Sequence, residues 1–207
     1  MSASLAAWNP VVTSENETSE GDLVARSRGG DVVAFERLYH RYEGAVYRYA
    51  YRLLENADDA DDVRQETFVR AYQALSRFRG DASFKTYLLT ICNNLCRDRQ
   101  RLRQRRPERE YGLSVPETAL NQTAFSGAEN PLLLLERAAT AETVRKAMNR
   151  LAPAHREILL LRHVEDLSME EIATVLGCSR VSAPVRLFRA RRQFKDVFLT
   201  LLREEGE

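Results

Sequence analysis

Apolar residues recur along this chain at steps of three and four, in two long stretches, and nowhere alternate with period two for long. That spacing lines one side of successive α-helices and leaves little from which a sheet could be built, so the expected fold class is all-α. In the first stretch Gly29, Gly30 and a capping Asp31 precede Val32, Phe35, Leu38, Tyr39, Tyr42, Val46, Tyr49 and Leu53, expected to form one buried stripe. A turn is expected at 56–59. The next helix runs to about Leu75 with Ala60, Val63, Phe68 and Ala71 inward. A short loop holding Gly80 leads to a third helix, with Phe84, Tyr87, Leu88, Ile91 and Leu95 inward and an arginine-rich tail ending at Arg106.

Pro107 stops the pattern. Residues 107–131 shift to Gly, Ser, Pro, Thr, Asn and Gln, the composition of a flexible linker long enough to mark a domain boundary. Beyond it helices are expected at 132–150, 153–163, 168–176 and 182–202. The chain therefore reads as two small helical domains, 22–106 and 132–207, joined by that linker and preceded by a mobile, aperiodic arm at 1–21.

The net charge is +1 over 207 residues, so an argument about nucleic acid must come from where the charges lie. No apolar run reaches the ~18–20 residues that span a bilayer, and the first residues lack a basic start followed by an apolar block. No membrane insertion is expected, and a cytoplasmic location is. Cys92, Cys96 and Cys178 are sparse and odd in number, which fits a reducing compartment and small buried side chains better than disulfides or a metal site. No phosphate-binding Gly loop or nucleophile–base pair is present, and His40, His155 and His163 have no ligand-like spacing. The chain is expected to bind rather than catalyse, with no cofactor.

The sharpest local signal lies at 168–195. Ser168 and Glu171 have capping-box spacing, Ile172, Ala173 and Leu176 share a helical face, and Gly177 suits a tight turn. The helix that follows is rich in arginine: Arg186, Arg189, Arg191 and Arg192 precede Lys195, with no acid before Asp196. This is a helix-turn-helix with a basic second helix, of the kind that enters the DNA major groove. A second basic run, Arg97, Arg99, Arg101, Arg103, Arg105 and Arg106, covers several sides of its helix and suits phosphates rather than base reading. Before it stand Phe78, Phe84 and Tyr87, with Lys85, Asn93 and Asn94; aromatics beside basic groups suit unpaired bases, although Phe84 and Tyr87 also have core spacing. An acidic run, Asp58, Asp59, Asp61, Asp62 and Glu66, reads as an outward face for a basic protein partner or as a solubilising surface.

Together these features resemble the extracytoplasmic-function (ECF) sigma factors of the sigma-70 family, over nearly the whole chain from Asp22 to about Val197. The segment 58–75 is similar to the family's polymerase-binding helix, 78–88 with Asn93-Asn94 to its −10 melting segment, and 151–194 to its −35-reading domain. The resemblance implies promoter-specific transcription initiation with core RNA polymerase. The first domain would dock on the largest-subunit clamp coiled coil through Asp61, Asp62, Gln65, Glu66 and Val69, and the second would lie near the flap region. Phe78, Arg79, Asp81, Ser83, Lys85, Tyr87, Asn94, Arg97 and Arg101 would meet the −10 DNA. Arg180, Ser182, Arg186, Phe188, Arg189 and Arg192 would meet the −35 element. An anti-sigma factor would cover the same surfaces. The family commonly has Trp at the position of Tyr87, and often Lys or Arg at that of Pro184. A stand-alone helix-turn-helix regulator and a metal-dependent nuclease are the competing readings. The acidic face and long linker speak against the first, and the outward, adjacent aspartates against the second.

Overall fold

The computed structural model describes residues 19–105 and 131–204, with side chains from residue 140 onward in the helix that opens the second part. No strand occurs among them, and none of their helices is long and apolar enough to cross a membrane. The first lobe consists of α1 (Glu20–Arg28), α2 (Val32–Leu54), α3 (Ala57–Gln73) and α4 (Phe84–Arg105), with a 3-10 turn at Leu75–Arg77. The second consists of α5 (Pro131–Asn149), α6 (Pro153–His163), α7 (Met169–Leu176) and α8 (Ser182–Glu204). The all-α, two-domain expectation therefore holds. The linker expected at 107–131 and Arg106 fall outside the described residues, apart from Pro131, which opens α5.

Three local readings need correction. The arm expected to run to residue 21 ends earlier, because Ser19 caps α1 by accepting from the Asp22 amide at 3.2 Å. The turn expected at 56–59 is shorter: Asn56 accepts from the Asp59 amide at 2.8 Å, so Asp58 and Asp59 already lie in the first helical turn of α3. Val32 is 63% exposed, since it sits at the edge of the α2 stripe in its first turn while Ala34 and Leu38 are fully buried.

In the first lobe the stripe of α2 packs on α3 and α4. Tyr49, Leu38, Val46, Val63, Phe84, Leu88 and Leu89 are its nearly inaccessible centre, joined by Cys92 and Cys96. In that centre the Tyr49 hydroxyl donates to Asn93 Oδ1 at 2.8 Å, and burial pushes the Tyr49 phenol well above its ordinary range. The arginine tail of α4 turns back on this lobe. Asp59, 8% exposed, accepts from Arg99 at 2.9 Å and from Arg103, which also donates to the Leu54 carbonyl at 2.8 Å. Asp59 thus ties the start of α3 to the end of α4 and is not part of an outward acidic face.

Asp59→Ala should remove that tie, with Arg99 keeping its pair with Asp62 at 3.3 Å. Arg99 and Arg103 are both more than a quarter exposed and water can reach them, so the cost should fall near or below the lower end for a broken buried pair, about 2–3 kcal/mol. Urea denaturation checks it; an unchanged midpoint would mean that the tie contributes nothing.

Candidate nucleic-acid interface

The second lobe builds the helix-turn-helix as the residues dictate. Ser168 Oγ accepts from the Glu171 amide at 3.2 Å while the Glu171 carboxylate accepts from the Ser168 amide at 3.0 Å, a complete capping box. Gly177 ends α7 at φ 61°, ψ 40°, where a side chain would be strained, and the Cys178 amide closes the turn on the Ala173 carbonyl at 2.9 Å. Pro184 lies in the first turn of α8, where its missing N–H has no helical partner to lose. Ala183, Leu187 and Ala190 face the lobe's core.

The exposed flank and far side of α8 carry Arg186, Phe188, Arg189 and Arg192, and these arginines make no hydrogen bond or ion pair with a described residue. The other two expected −35 residues are engaged: Arg180 pairs with Glu170 at 2.9 Å, and the half-buried Ser182 donates to the Ser179 carbonyl at 2.9 Å. Arg191 is turned aside, donating to His163 Nε2 at 3.3 Å. Burial, then the neighbouring Arg191 and Arg162, lower the His163 pKa, which keeps the ring able to accept.

Residues expected to meet −10 DNA extend from the loop before α4 along that helix to Arg101. Phe78, Phe84 and Tyr87 form one cluster, with ring centroids 4.8 Å apart for Phe78–Tyr87 and 6.0 Å for the other two pairs. Phe84 is only 1% exposed and belongs to the core, so base stacking is open to Phe78 and Tyr87 alone. Of the two asparagines, Asn93 is buried and Asn94 is exposed. Arg79 and Asp81 are exposed on the loop, and Arg101 on α4, where it reaches only Asp98 at 3.4 Å. A cleft of about 620 Å³ opens between α1 and this loop, lined among others by Phe78, Gly80, Asp81, Ser83, Glu20 and Glu171.

Three of these residues face the second lobe. Arg97 forks onto Glu157 of α6 with bonds of 2.9 and 2.6 Å, and Lys85 pairs with Glu165 at 3.0 Å while donating to its carbonyl at 2.7 Å. Both acids have side chains only 4% exposed. Glu171 accepts from Ser83 at 3.1 Å and Thr86 at 2.8 Å. Burial pushes the Glu171 carboxyl up, but bonds from the Ser168 amide and the Thr86 and Ser168 hydroxyls lead the opposing effects and hold it below its ordinary value. Glu55, at φ 54° beyond α2, accepts from Asn149 and Arg156 at 2.6 Å each.

The acidic surface of α3 is narrower than expected. Asp61 accepts from Arg64 and Gln65 at 2.6 Å each, and the Arg64 bond is the main reason its carboxyl lies below the ordinary range. Glu66 pairs with Arg70 at 2.7 Å and Asp62 with Arg99 at 3.3 Å. Val69 and Tyr72 stand beside them, 50% and 43% exposed.

Glu20, Glu157 and Glu165 were not among the expected site residues. Glu20 accepts from the Phe84 amide at 3.2 Å and from the Tyr42 hydroxyl, so it caps α4 from across the cleft. One signal in the sequence does point to Glu157. It is followed by Ile158, Leu159, Leu160 and Leu161, apolar on every side of α6 and all buried. A helix of that kind must be covered on more than one face.

Comparison with known families matches residues 38–106 to sigma-70 region 2 and residues 141–194 to sigma-70 region 4. The RNA polymerase sigma-H factor of Pseudomonas aeruginosa is 35% identical over 190 residues, 90% of this chain and 98% of that protein. The ECF RNA polymerase sigma-E factor of Escherichia coli K12 is 32% identical over 182 residues, 87% of this chain and 95% of that one. Among solved structures, CnrH in complex with the cytosolic domain of CnrY superimposes with a TM-score of 0.62 at 27% identity, covering 87% of this chain and 97% of that one. The Bartonella quintana sigma factor RpoE, solved with the anti-sigma factor NepR, shares the fold at a TM-score of 0.58 and 23% identity, over 79% of this chain and 95% of that one.

Charge reversal at Glu157 and Glu165 together, to Lys, should place cation against cation at Arg97 and Lys85 and part the lobes. Small-angle scattering should register a larger radius of gyration at unchanged helical circular dichroism; an unchanged radius would discount these pairs. Acid should act through Glu171 as well. Its pKa is lowered on folding, so its contribution is complete above the ordinary value of 4.5 and is lost as pH falls through the lowered one. Glu171→Gln should flatten that part of the acid transition.

Proposed function

The chain belongs to the ECF group of sigma-70 factors, and from that premise we propose how its surfaces divide the work of promoter-specific initiation. The observation that carries the reading is the contrast between two sets of arginines. Those of α4 are largely paired with internal acids, whereas Arg186, Arg189 and Arg192 stand free on the exposed side of a helix-turn-helix. Free guanidiniums on a recognition helix suit guanine edges and phosphates of the −35 duplex.

In this reading 22–106 with α1 is the polymerase-binding and −10 domain, 107–131 the linker, and 132–207 the −35 domain. The exposed Asp62, Gln65 and Val69, with Asp61 and Glu66, dock on the clamp coiled coil of core polymerase, and the second domain sits near the flap. The cleft beside Phe78, Asp81 and Ser83 receives an unpaired −10 base, with Arg79 on its loop and Tyr87 packed against Phe78, while Asn94 and Arg101 meet the strand further along α4. Lys85 and Arg97 join them only when Glu165 and Glu157 withdraw, and Glu171 must leave the cleft wall. Engagement of polymerase therefore separates the lobes before the −10 strand is captured. An anti-sigma factor would hold them together. The protein works in the cytoplasm by differential binding, and polymerase performs the chemistry.

Transcription in vitro from genomic fragments should become promoter-specific when this protein is added to core polymerase. If core remains as unselective as before, the reading fails. Arg189→Ala should lower promoter affinity by ~1–3 kcal/mol and relax preference at one base pair. Uniform weakening on all sequences would make Arg189 a phosphate contact instead.

A further inference from the structure

The recognition helix carries an apolar stripe among its arginines. Val181, at the turn before α8, is 82% exposed; Val185 is 47% exposed and Phe188 68%. Steps of four and three residues bring all three within a narrow arc of one helical face. The buried positions Ala183, Leu187 and Ala190 lie on other faces, so the stripe is not an overflow of the core. Single exposed apolar residues need no explanation, but an aligned set calls for an occupant.

Charge indicates which occupant. Val69 and Tyr72 stand beside the acids of α3, a setting for a basic protein. The α8 stripe instead lies among Arg186, Arg189 and Arg192, which have no partner among the described residues, a setting for a polyanion. It also occupies the N-terminal part of the recognition helix, the part that reaches base edges in helix-turn-helix docking. Val and Phe side chains have no hydrogen-bonding group. The one apolar group that a base pair displays in the major groove is the thymine C5 methyl.

We propose that Val181, Val185 and Phe188 are specificity-determining residues that read thymine methyl groups, so that the −35 element of this protein contains thymines under the stripe. This rests on the reading of α8 as the −35 helix. From Val181 to Phe188 the rise is about 10 Å, which covers about three base pairs, so the thymines should be neighbours on the duplex. The arginines beside and beyond the stripe then hold phosphates or guanines.

The test uses the full chain bound to core polymerase and a duplex pool randomised over the upstream element. Bound duplexes should be enriched in thymines within a run of about three base pairs. Each thymine is then replaced by deoxyuridine, which removes only the methyl group. Affinity should fall about fourfold per methyl for the natural chain, the size expected for one buried methyl. For the Val185→Ala/Phe188→Ala variant the loss should shrink towards none. These side chains lie outside the core, so the variant should fold, which circular dichroism checks. Selected duplexes without thymine, or insensitive to deoxyuridine, would overturn the inference while leaving the sigma-factor reading intact. Loss of core binding in that variant, with thymine ignored, would assign the stripe to a protein contact and overturn it equally. If no sequence is selected at all, the −35 reading fails and takes the inference with it.

Discussion

The two lobes meet at a seam where a guanidinium fork from Arg97 closes on Glu157, whose side chain is only 4% exposed. A carboxylate buried in α6 beside Ile158 would be prohibitive alone and is tolerable once a fixed cation answers both its oxygens. The apolar circumference of α6 forces that seam to exist, because one face must pack within its own lobe and another needs cover. Lys85 on Glu165, and Asn149 and Arg156 on Glu55, then follow as neighbours whose polar groups are also drawn out of solvent. Polar pairs of this kind define a register between the lobes more than they add stability.

Most of the helical architecture was legible from periodicity, because caps and turns are local chemistry. Asp31, the Ser168–Glu171 box and Gly177 do what their residue types and spacing indicate. The clasp was not legible. Glu157, Glu165 and Glu171 acquire partners from residues 60, 80 and 85–88 positions away, and no local pattern carries that information. Asp59 was misread for a related reason. Its neighbours in sequence suggested an exposed acidic run, but Arg99 and Arg103 come back from the far end of α4 to cover it. Phe84, similarly, has the residue type of a stacking platform and the position of a core side chain.

The same residue type thus has two fates in one chain. On α4 the arginines find carboxylates within reach of the fold. On α8 the helix faces solvent with no acid opposite, and the guanidiniums remain available. Composition alone, with its near-neutral balance, hides this partition.

The inward pairing of the α4 tail has an ionic consequence. Phosphates release condensed counterions only to cations that are not already neutralised, and Arg99 and Arg103 are held by Asp59. The first lobe therefore gains little of the entropy that usually drives proteins onto nucleic acid. On the proposed reading its hold on a melted strand would rest on the fit of its cleft and vary gently with ionic strength, and the steeper salt dependence would belong to α8.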